Sequence, residues 1–326
     1  MVTSRTIELF ATLGERLATL GTTPEGEAVI LKAMEANPWF TREDILHAVE
    51  AIRHDMLTAK SLSEWLDGYT PVESAKDVAV IMAGNIPLVG FNDLLCVVAS
   101  GHRCHIKPSS KDSVLMRYVI EELQAIEPTI PIYDYSSERH YDMAIATGGE
   151  DANRYFREHF MGTRTLLRSS RHSLAILDGT ENQEELEALN RDITRYSGLG
   201  CRSVSMVMLP RESDITLPMC KAANPKLEGN IRTMRALMTM QGKKFHYQGG
   251  YIMVPSSKFP TSLATVSLCY YDDIESVKHW IEAHREEIQC VVSHADIEGV
   301  VHFGHAQRPT LWDYADGVDT MRFLTE

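Results

Sequence analysis

In the stretch RYSGLGCRSVSMVMLP, residues 195–210, Cys201 lies between Gly200 and Arg202, directly ahead of a run that alternates like a strand. A thiolate there can attack a carbonyl carbon and hold an acyl group as a thioester. The same sulfur can also be a small buried hydrophobe, the commoner fate of a cysteine. Gly198 and Gly200 permit positive φ or close approach of the backbone to a ligand, and Arg195 and Arg202 are placed to favour thiolate over thiol. The other five cysteines, Cys96, Cys104, Cys220, Cys269 and Cys290, sit in apolar or strand-like runs that read as packing. Their wide spacing, with no CxxC, argues against a disulfide framework, and 13 histidines without an HxxxH or HExxH pattern give no metal site.

Asn85 follows a buried-strand run in AGNIPLVG, where an amide either caps the next helix or donates to a developing oxyanion. CHIKPSSKD, residues 104–112, ends a strand with Lys107, Ser109, Ser110 and Lys111, which is either a solvated loop or a phosphate and ribose contact. Gly148-Gly149 ahead of a helix at 150 is a weak phosphate-cradle signal or a plain turn. No GxGxxG fingerprint supports a standard dinucleotide loop.

The elements that must carry these residues follow from patterning. Ile7, Phe10, Leu13 and Leu17 share a helical face, and Thr41 with Asp44 resembles a capping box, so the first seventy or so residues read as a helical lead-in. From Val78, short apolar runs (VAVIMA, CHIKP, IPIYDY, MAIATGG, RTLLRSS, SLAIL) alternate with helices expected at 90–100, 111–125, 150–159 and 183–196. That alternation predicts parallel strands with crossover helices, and a ligand beyond the strands' carboxyl ends, near residues 83–85 and 146–149. SVSMVMLP, HYQGGYIMVP, TSLATVSLCYY and IQCVVSH, with a helix near 274–286, predict a second α/β unit. The expected division is 1–195 for the lead-in and cofactor domain, 196–300 for the catalytic domain, and 301–326 for a C-terminal docking segment.

Composition sets outer limits. With 326 residues, 44% hydrophobic and 24% charged, the chain can bury a large core, and its net charge of −13 argues against a nucleic-acid partner. The apolar stretch at 78–99 contains Asn85, Pro87, Asn92 and Asp93, so a buried strand and helix explain it better than a membrane span. The first residues lack a basic region followed by an apolar core, as in a signal peptide, and unpaired cysteines fit a reducing, cytoplasmic setting.

Taken in order, GNIPLVGFNDLLCVVASGHRCHIKPSSKD, IATGGEDANRYF, RSSRHSLAIL, RYSGLGCRS and FGHAQRPTLWDYADGVDTMRFL resemble the aldehyde dehydrogenase superfamily. The likeness is greatest to its acyl-CoA reductase branch, related to the fatty-acid reductase of bacterial luminescence. It covers the chain from about residue 78 to the end, and the combination of segments is more specific than any one of them. The implied fold is α/β and aldehyde-dehydrogenase-like: two doubly wound α/β units with a helical N-terminal segment.

The resemblance further implies that Cys201 is the nucleophile and that Asn85, at the superfamily's Asn-aromatic-Pro position (here Asn-Ile-Pro), joins the Cys201 backbone N–H in an oxyanion hole. Lys107 matches a lysine that touches the adenosine ribose. Where the superfamily often has a ribose-holding glutamate, this chain has Ser110 beside Lys111, which implies NADPH more than NADH. The glutamate that activates water in hydrolytic relatives falls in a run matching Leu167-Arg168-Ser169-Ser170-Arg171, where no acid stands. Arg168 and Arg171 then either meet phosphates or are solvated. The expected reaction is NAD(P)H-dependent reduction of an acyl-CoA to an aldehyde, with coenzyme A part of the substrate and a homodimer as the expected assembly. Two alternatives remain: a CoA-independent aldehyde dehydrogenase using His302 or His305 as base, and a non-catalytic nucleotide-binding relative.

Overall fold

Three threonines start helices in the lead-in: Thr23, Thr41 and Thr58 accept the backbone N–H of Gly26, Asp44 and Ser61 and so satisfy donors that a helix start leaves unpaired. The helices are α1 (Val2–Leu17), α2 (Pro24–Ala36), α3 (Arg42–Ala51) and α4 (Ala59–Leu66), with one π turn at Ile52–Met56 before α4. This computed structural model describes residues 2–326. Phe10, Leu13 and Leu17 of α1 are fully buried, as their spacing predicts.

A five-stranded parallel sheet follows, with β1 (Asp77–Ile81), β2 (Arg103–Lys107), β3 (Ile132–Asp134), β4 (Met143–Thr147) and β5 (Arg164–Arg168) in the order β3-β2-β1-β4-β5. Helices α5 (Phe91–Ser100), α6 (Ser113–Ile126) and α7 (Glu150–His159) connect its strands. The order reverses between β1 and β4, so their carboxyl ends open a crevice. Ile81 pairs with Lys107 on one side and Ala146 on the other, which sets the Asn85, Lys107 and Gly148 segments along one edge. The apolar stretch at 78–99 resolves into β1, a loop and α5, and among the described residues no helix is long and apolar enough to cross a membrane.

The second sheet has the order β11-β6-β7-β10-β9-β8, from β6 (His172–Ile176), β7 (Val204–Pro210), β8 (His246–Tyr247), β9 (Ile252–Pro255), β10 (Thr265–Tyr271) and β11 (Ile288–Val292). Among the described residues, the β8–β9 pair alone is antiparallel. Helices α8 (Gln183–Thr194), α9 (Pro225–Met240) and α10 (Ile274–Ala283) complete this unit, and α11 (Thr320–Thr325) ends the chain. Val204, Val207 and Leu209 of β7 pack on one face with Leu189 and Ile193 of α8, while Met206 and Met208 pack on the other with Val277 of α10. Burial on both faces explains why β7 reads as a nearly continuous apolar run. In the β8–β9 connection, Gly249 has φ 83° and a Cβ there would lie 1.9 Å from the Cys220 carbonyl oxygen, so only glycine fits.

The two compact units are Met1–Ser170 with Arg308–Glu326, and Arg171–Gln307. This differs from the expected division near residues 195 and 300. β6 hydrogen-bonds β7 and β11, so it joins the second sheet together with the helix that follows it. The closing segment starts at Arg308 rather than 301, because Gly304, Ala306 and Gln307 are bonded to Asp192 and Ser203 of the second unit. Leu311, Tyr314, Met321 and Leu324 are buried in the first unit's core, where the Tyr314 hydroxyl accepts the Trp65 indole N–H at 2.7 Å.

Candidate active site

The chain leaves α8 through consecutive left-handed residues, Tyr196 (φ 54°), Ser197 (φ 57°) and Gly198 (φ 72°). Non-glycine residues in this region cost of order 1–3 kcal/mol each and persist only where packing dictates them. Tyr196 and Ser197 are both buried, and the Ser197 hydroxyl accepts from Asn224 Nδ2 at 2.8 Å. Cys201 follows, half-buried, three residues before β7. Its carbonyl accepts from Ser173 Oγ at 2.8 Å, and Ser203 N–H donates to Gly200 O at 3.0 Å.

A second segment supports this turn. Arg202 Nε donates to Ala306 O, and an Arg202 terminal nitrogen lies 3.5 Å from Cys290 Sγ. Gln307 Nε2 donates to Ser203 Oγ at 3.0 Å. Asp192, 2% exposed, accepts from Gly304 N at 2.6 Å and from Ala306 N at 3.1 Å, and burial raises its carboxyl to about 6. The guanidinium of Arg202, expected beside the sulfur as a thiolate-stabilising charge, is thus engaged in holding the turn. His302 and His305, the bases of the alternative reading, are exposed on the same segment.

At four of the other cysteines burial disfavours the thiolate. Burial raises the thiols of Cys96, Cys104, Cys220 and Cys269 above their usual range, and Cys290 is buried.

In the first unit, Asn85 is half-buried in the loop between β1 and α5. The cap position of α5 is Gly90, so Asn85 is not the helix cap. Lys107 ends β2, exposed, with its ammonium 5.7 Å from the Tyr135 ring centroid. Ser110 and Lys111 are exposed, and Ser109 Oγ accepts from Lys111 N–H at 3.3 Å. Gly148 admits no side chain, since a Cβ would sit 2.7 Å from Ala152 Cβ, whereas Gly149, at the start of α7, faces open space. The structure therefore brings Asn85, Lys107, Ser109, Ser110, Lys111, Gly148 and Gly149 to the carboxyl edge of one sheet, and places Cys201 on the other unit.

Both readings of Arg168, phosphate ligand and solvated cation, are overturned. It is 3% exposed and donates to Asp93 Oδ1, Thr320 Oγ1 and Ala315 O, each at 2.7 Å. A buried guanidinium needs this many partners, because an unpaired one would cost several kcal/mol. Arg171 donates to the carbonyls of Arg285 and Ile288.

One cluster escaped the sequence because its members are far apart in the chain. His294, after β11, has Nε2 3.1 Å from Asp178 and 3.5 Å from Glu181, and Nδ1 2.8 Å from Glu185. The donor atoms of Asp178, Glu181 and His294 lie close enough together to hold a metal ion. Glu181, however, already accepts the N–H groups of Asp178 and Gly179. The bond to Glu185 foremost raises His294 to about 8, as expected of an imidazolium among carboxylates. The cluster follows the carboxyl ends of β6 and β11, at the opposite end of this parallel sheet from Cys201.

Solved structures with this fold include aldehyde dehydrogenases. Aldehyde dehydrogenase 21 from Physcomitrella patens, in complex with the reaction product succinate, superposes with a TM-score of 0.61 at 15% identity, over 90% of this chain and 74% of that one. Betaine aldehyde dehydrogenase from Staphylococcus aureus, in complex with NAD+, gives 0.62 at 12% identity, over 94% and 72%. The class is thus the aldehyde dehydrogenase fold. Within it, residues 16–223 match the family described as Acyl-CoA reductase (LuxC), and the chain belongs to that family. Similar curated proteins are long-chain acyl-protein thioester reductase 2 of Photobacterium leiognathi, 22% identical over 175 residues, and long-chain acyl-protein thioester reductase of Aliivibrio fischeri, 24% over 180 residues. These matches cover 47% and 48% of this chain but only 37% of each relative.

Proposed function

We propose that this protein reduces a long-chain acyl thioester to the aldehyde, with Cys201 carrying the acyl group and a reduced nicotinamide as electron donor. The observation that carries the reading is the Cys201 turn: a half-buried cysteine just after strained left-handed backbone, while burial disfavours the thiolate at Cys96, Cys104, Cys220 and Cys269. Family membership agrees with it.

Cys201 thiolate attacks the acyl carbonyl, the Cys201 N–H receives the oxyanion with Asn85 in the role that the sequence resemblance implies for it, and the donor thiol leaves. A reduced nicotinamide held by Lys107, Ser110 and Lys111 would supply hydride for the resulting thioester. The thiohemiacetal on Cys201 then collapses to aldehyde and free thiolate. The residues present suit a nicotinamide dinucleotide: Lys107, Ser110 and Lys111 offer exposed cations and a hydroxyl for ribose and phosphate, and Gly149 leaves space that a Cβ would fill. With no acid at Leu167, water lacks an activating base there, so the acyl group is kept for reduction. Ser110 in place of a carboxylate favours NADPH.

The acyl donor is either a coenzyme A ester or an acylated protein, the latter suggested by the names of the similar reductases. Incubation with dodecanoyl-CoA, and separately with an acylated carrier protein, followed by intact mass and peptide mapping, tests the reading. An acyl adduct on Cys201 that NADPH discharges as aldehyde is expected. No adduct from either donor, or one on another cysteine, overturns it.

A further inference from the structure

Asp112 occupies the N-cap position of α6, where an aspartate ordinarily accepts N–H groups of the first helical turn. Its side chain makes no capping bond. Instead, Oδ2 accepts the N–H of Leu88, 24 residues earlier in the chain, at 2.7 Å. The group is 2% exposed, and Oδ1 has no hydrogen-bond partner. Giving up a cap costs about 1 kcal/mol, and leaving a buried oxygen unsatisfied costs about 1–3 kcal/mol.

Leu88 is itself unusual. It is 3% exposed and holds φ at 56°, a conformation a leucine rarely adopts, just after Pro87 and three residues after Asn85. Without Asp112 its N–H would be buried without this acceptor. The two loops also interlock: a Cβ on Gly84 would lie 2.5 Å from Ser109 Cβ and 3.1 Å from Asp112 Cβ. From the helical lead-in, Asn37 Nδ2 donates to Lys111 O at 3.1 Å, fixing the far side of the 107–112 loop.

We propose that Asp112 is a positioning residue: its carboxyl locks the 84–90 loop through Leu88 N–H and so fixes the Asn85 segment for the oxyanion role. This rests on the reading of Asn85 under the proposed function. Burial holds the Asp112 carboxyl well above the usual carboxylate range, so asparagine, uncharged and equally able to accept from Leu88, is the conservative copy.

The test compares wild type, Asp112→Ala and Asp112→Asn in the full chain. Three quantities are read: hydrogen exchange at the Leu88 amide, the single-turnover rate of Cys201 acylation by dodecanoyl-CoA, and NADPH affinity. Asp112→Ala is expected to speed Leu88 exchange at least ~10-fold and slow acylation ~10- to 100-fold, less than the ~10²–10³ for losing an oxyanion donor outright. NADPH affinity should move less than about threefold, and Asp112→Asn should restore both exchange and acylation. Native acylation by Asp112→Ala, an equal defect in Asp112→Asn, or a parallel loss of NADPH affinity overturns the proposal. If Asp112→Ala does not fold, Asp112→Ser replaces it, since its hydroxyl is too short to reach Leu88. Should wild type fail to acylate at all, the functional reading fails by itself, and Leu88 exchange still decides whether Asp112 locks the loop.

Discussion

Cys201 differs from Cys96, Cys104 and Cys290 in burial, and it follows a left-handed turn. The turn places left-handed Tyr196 and Ser197 ahead of the sulfur, so the strain sits in residues whose side chains are buried and held. Cys201→Ala is expected to give no acyl adduct and no aldehyde, because nothing replaces the covalent step. Asn85→Ala keeps the nucleophile, so it should still form the adduct but ~10²–10³-fold more slowly, as read by quench-flow. A carboxylate in place of Ser110 would stand where a 2′-phosphate is expected and repel it. The wild-type protein should therefore show the higher kcat/KM with NADPH, and Ser110→Glu should lower that value ~10-fold or more while sparing NADH. Equal use of both nucleotides by wild type would refute the specificity argument.

At the scale of elements, Arg168 at the end of β5 ties α5 to the C-terminal segment through Asp93, Thr320 and Ala315. Replacing Asp93 by leucine leaves a buried cation without its counter-charge and should destabilise the first unit by ~3–5 kcal/mol in urea unfolding. Adding Arg168→Met should recover part of that loss, since it removes the stranded charge. A double variant no more stable than Asp93→Leu would show that the bonds to Thr320 and Ala315 matter more than the ion pair. Helix α9 was missing from the sequence reading although its signals are present: Asn224 caps it, Pro225 opens it, and Leu227, Ile231 and Met238 are its buried residues. Three buried positions in 16 residues make a faint stripe.

Across the whole molecule, titration falls into opposing limbs. His294 is raised from 6.5 to about 8, so the stability it contributes is complete below 6.5 and is lost as pH rises through 8. Asp192 is raised from 3.8 to about 6, so its contribution is complete below 3.8 and gone above 6. Asp77 runs the other way: the Arg103 hydrogen bond foremost lowers its carboxyl, so its contribution holds above 3.8 and is lost as pH falls below that value. His294 and Asp192 are in the second unit, and Trp280 of α10 reports on it. Urea midpoints followed by Trp280 fluorescence should fall between pH 6.5 and 8, and His294→Gln should flatten that limb. An unchanged slope in the variant would remove His294 as its source.

The aligned segments and their residue chemistry were legible because they depend on neighbours a few positions apart. Helices such as Glu150–His159 and strands such as Arg103–Lys107 follow from local periodicity, and both fall where patterning put them. The crevice edge was equally readable, since Asn85, Lys107 and Gly148 each follow an apolar run that becomes a strand of one sheet. What local pattern does not encode is which distant partner a polar group finds. Arg168 reads as a phosphate ligand or a solvated cation until Asp93 and Thr320 close around it, and β6 as the first sheet's next strand until it pairs with β7. These outcomes were decided only in the tertiary structure. Burying a charge or an N–H is costly unless a partner arrives, and chain neighbours alone do not determine which partner the fold brings.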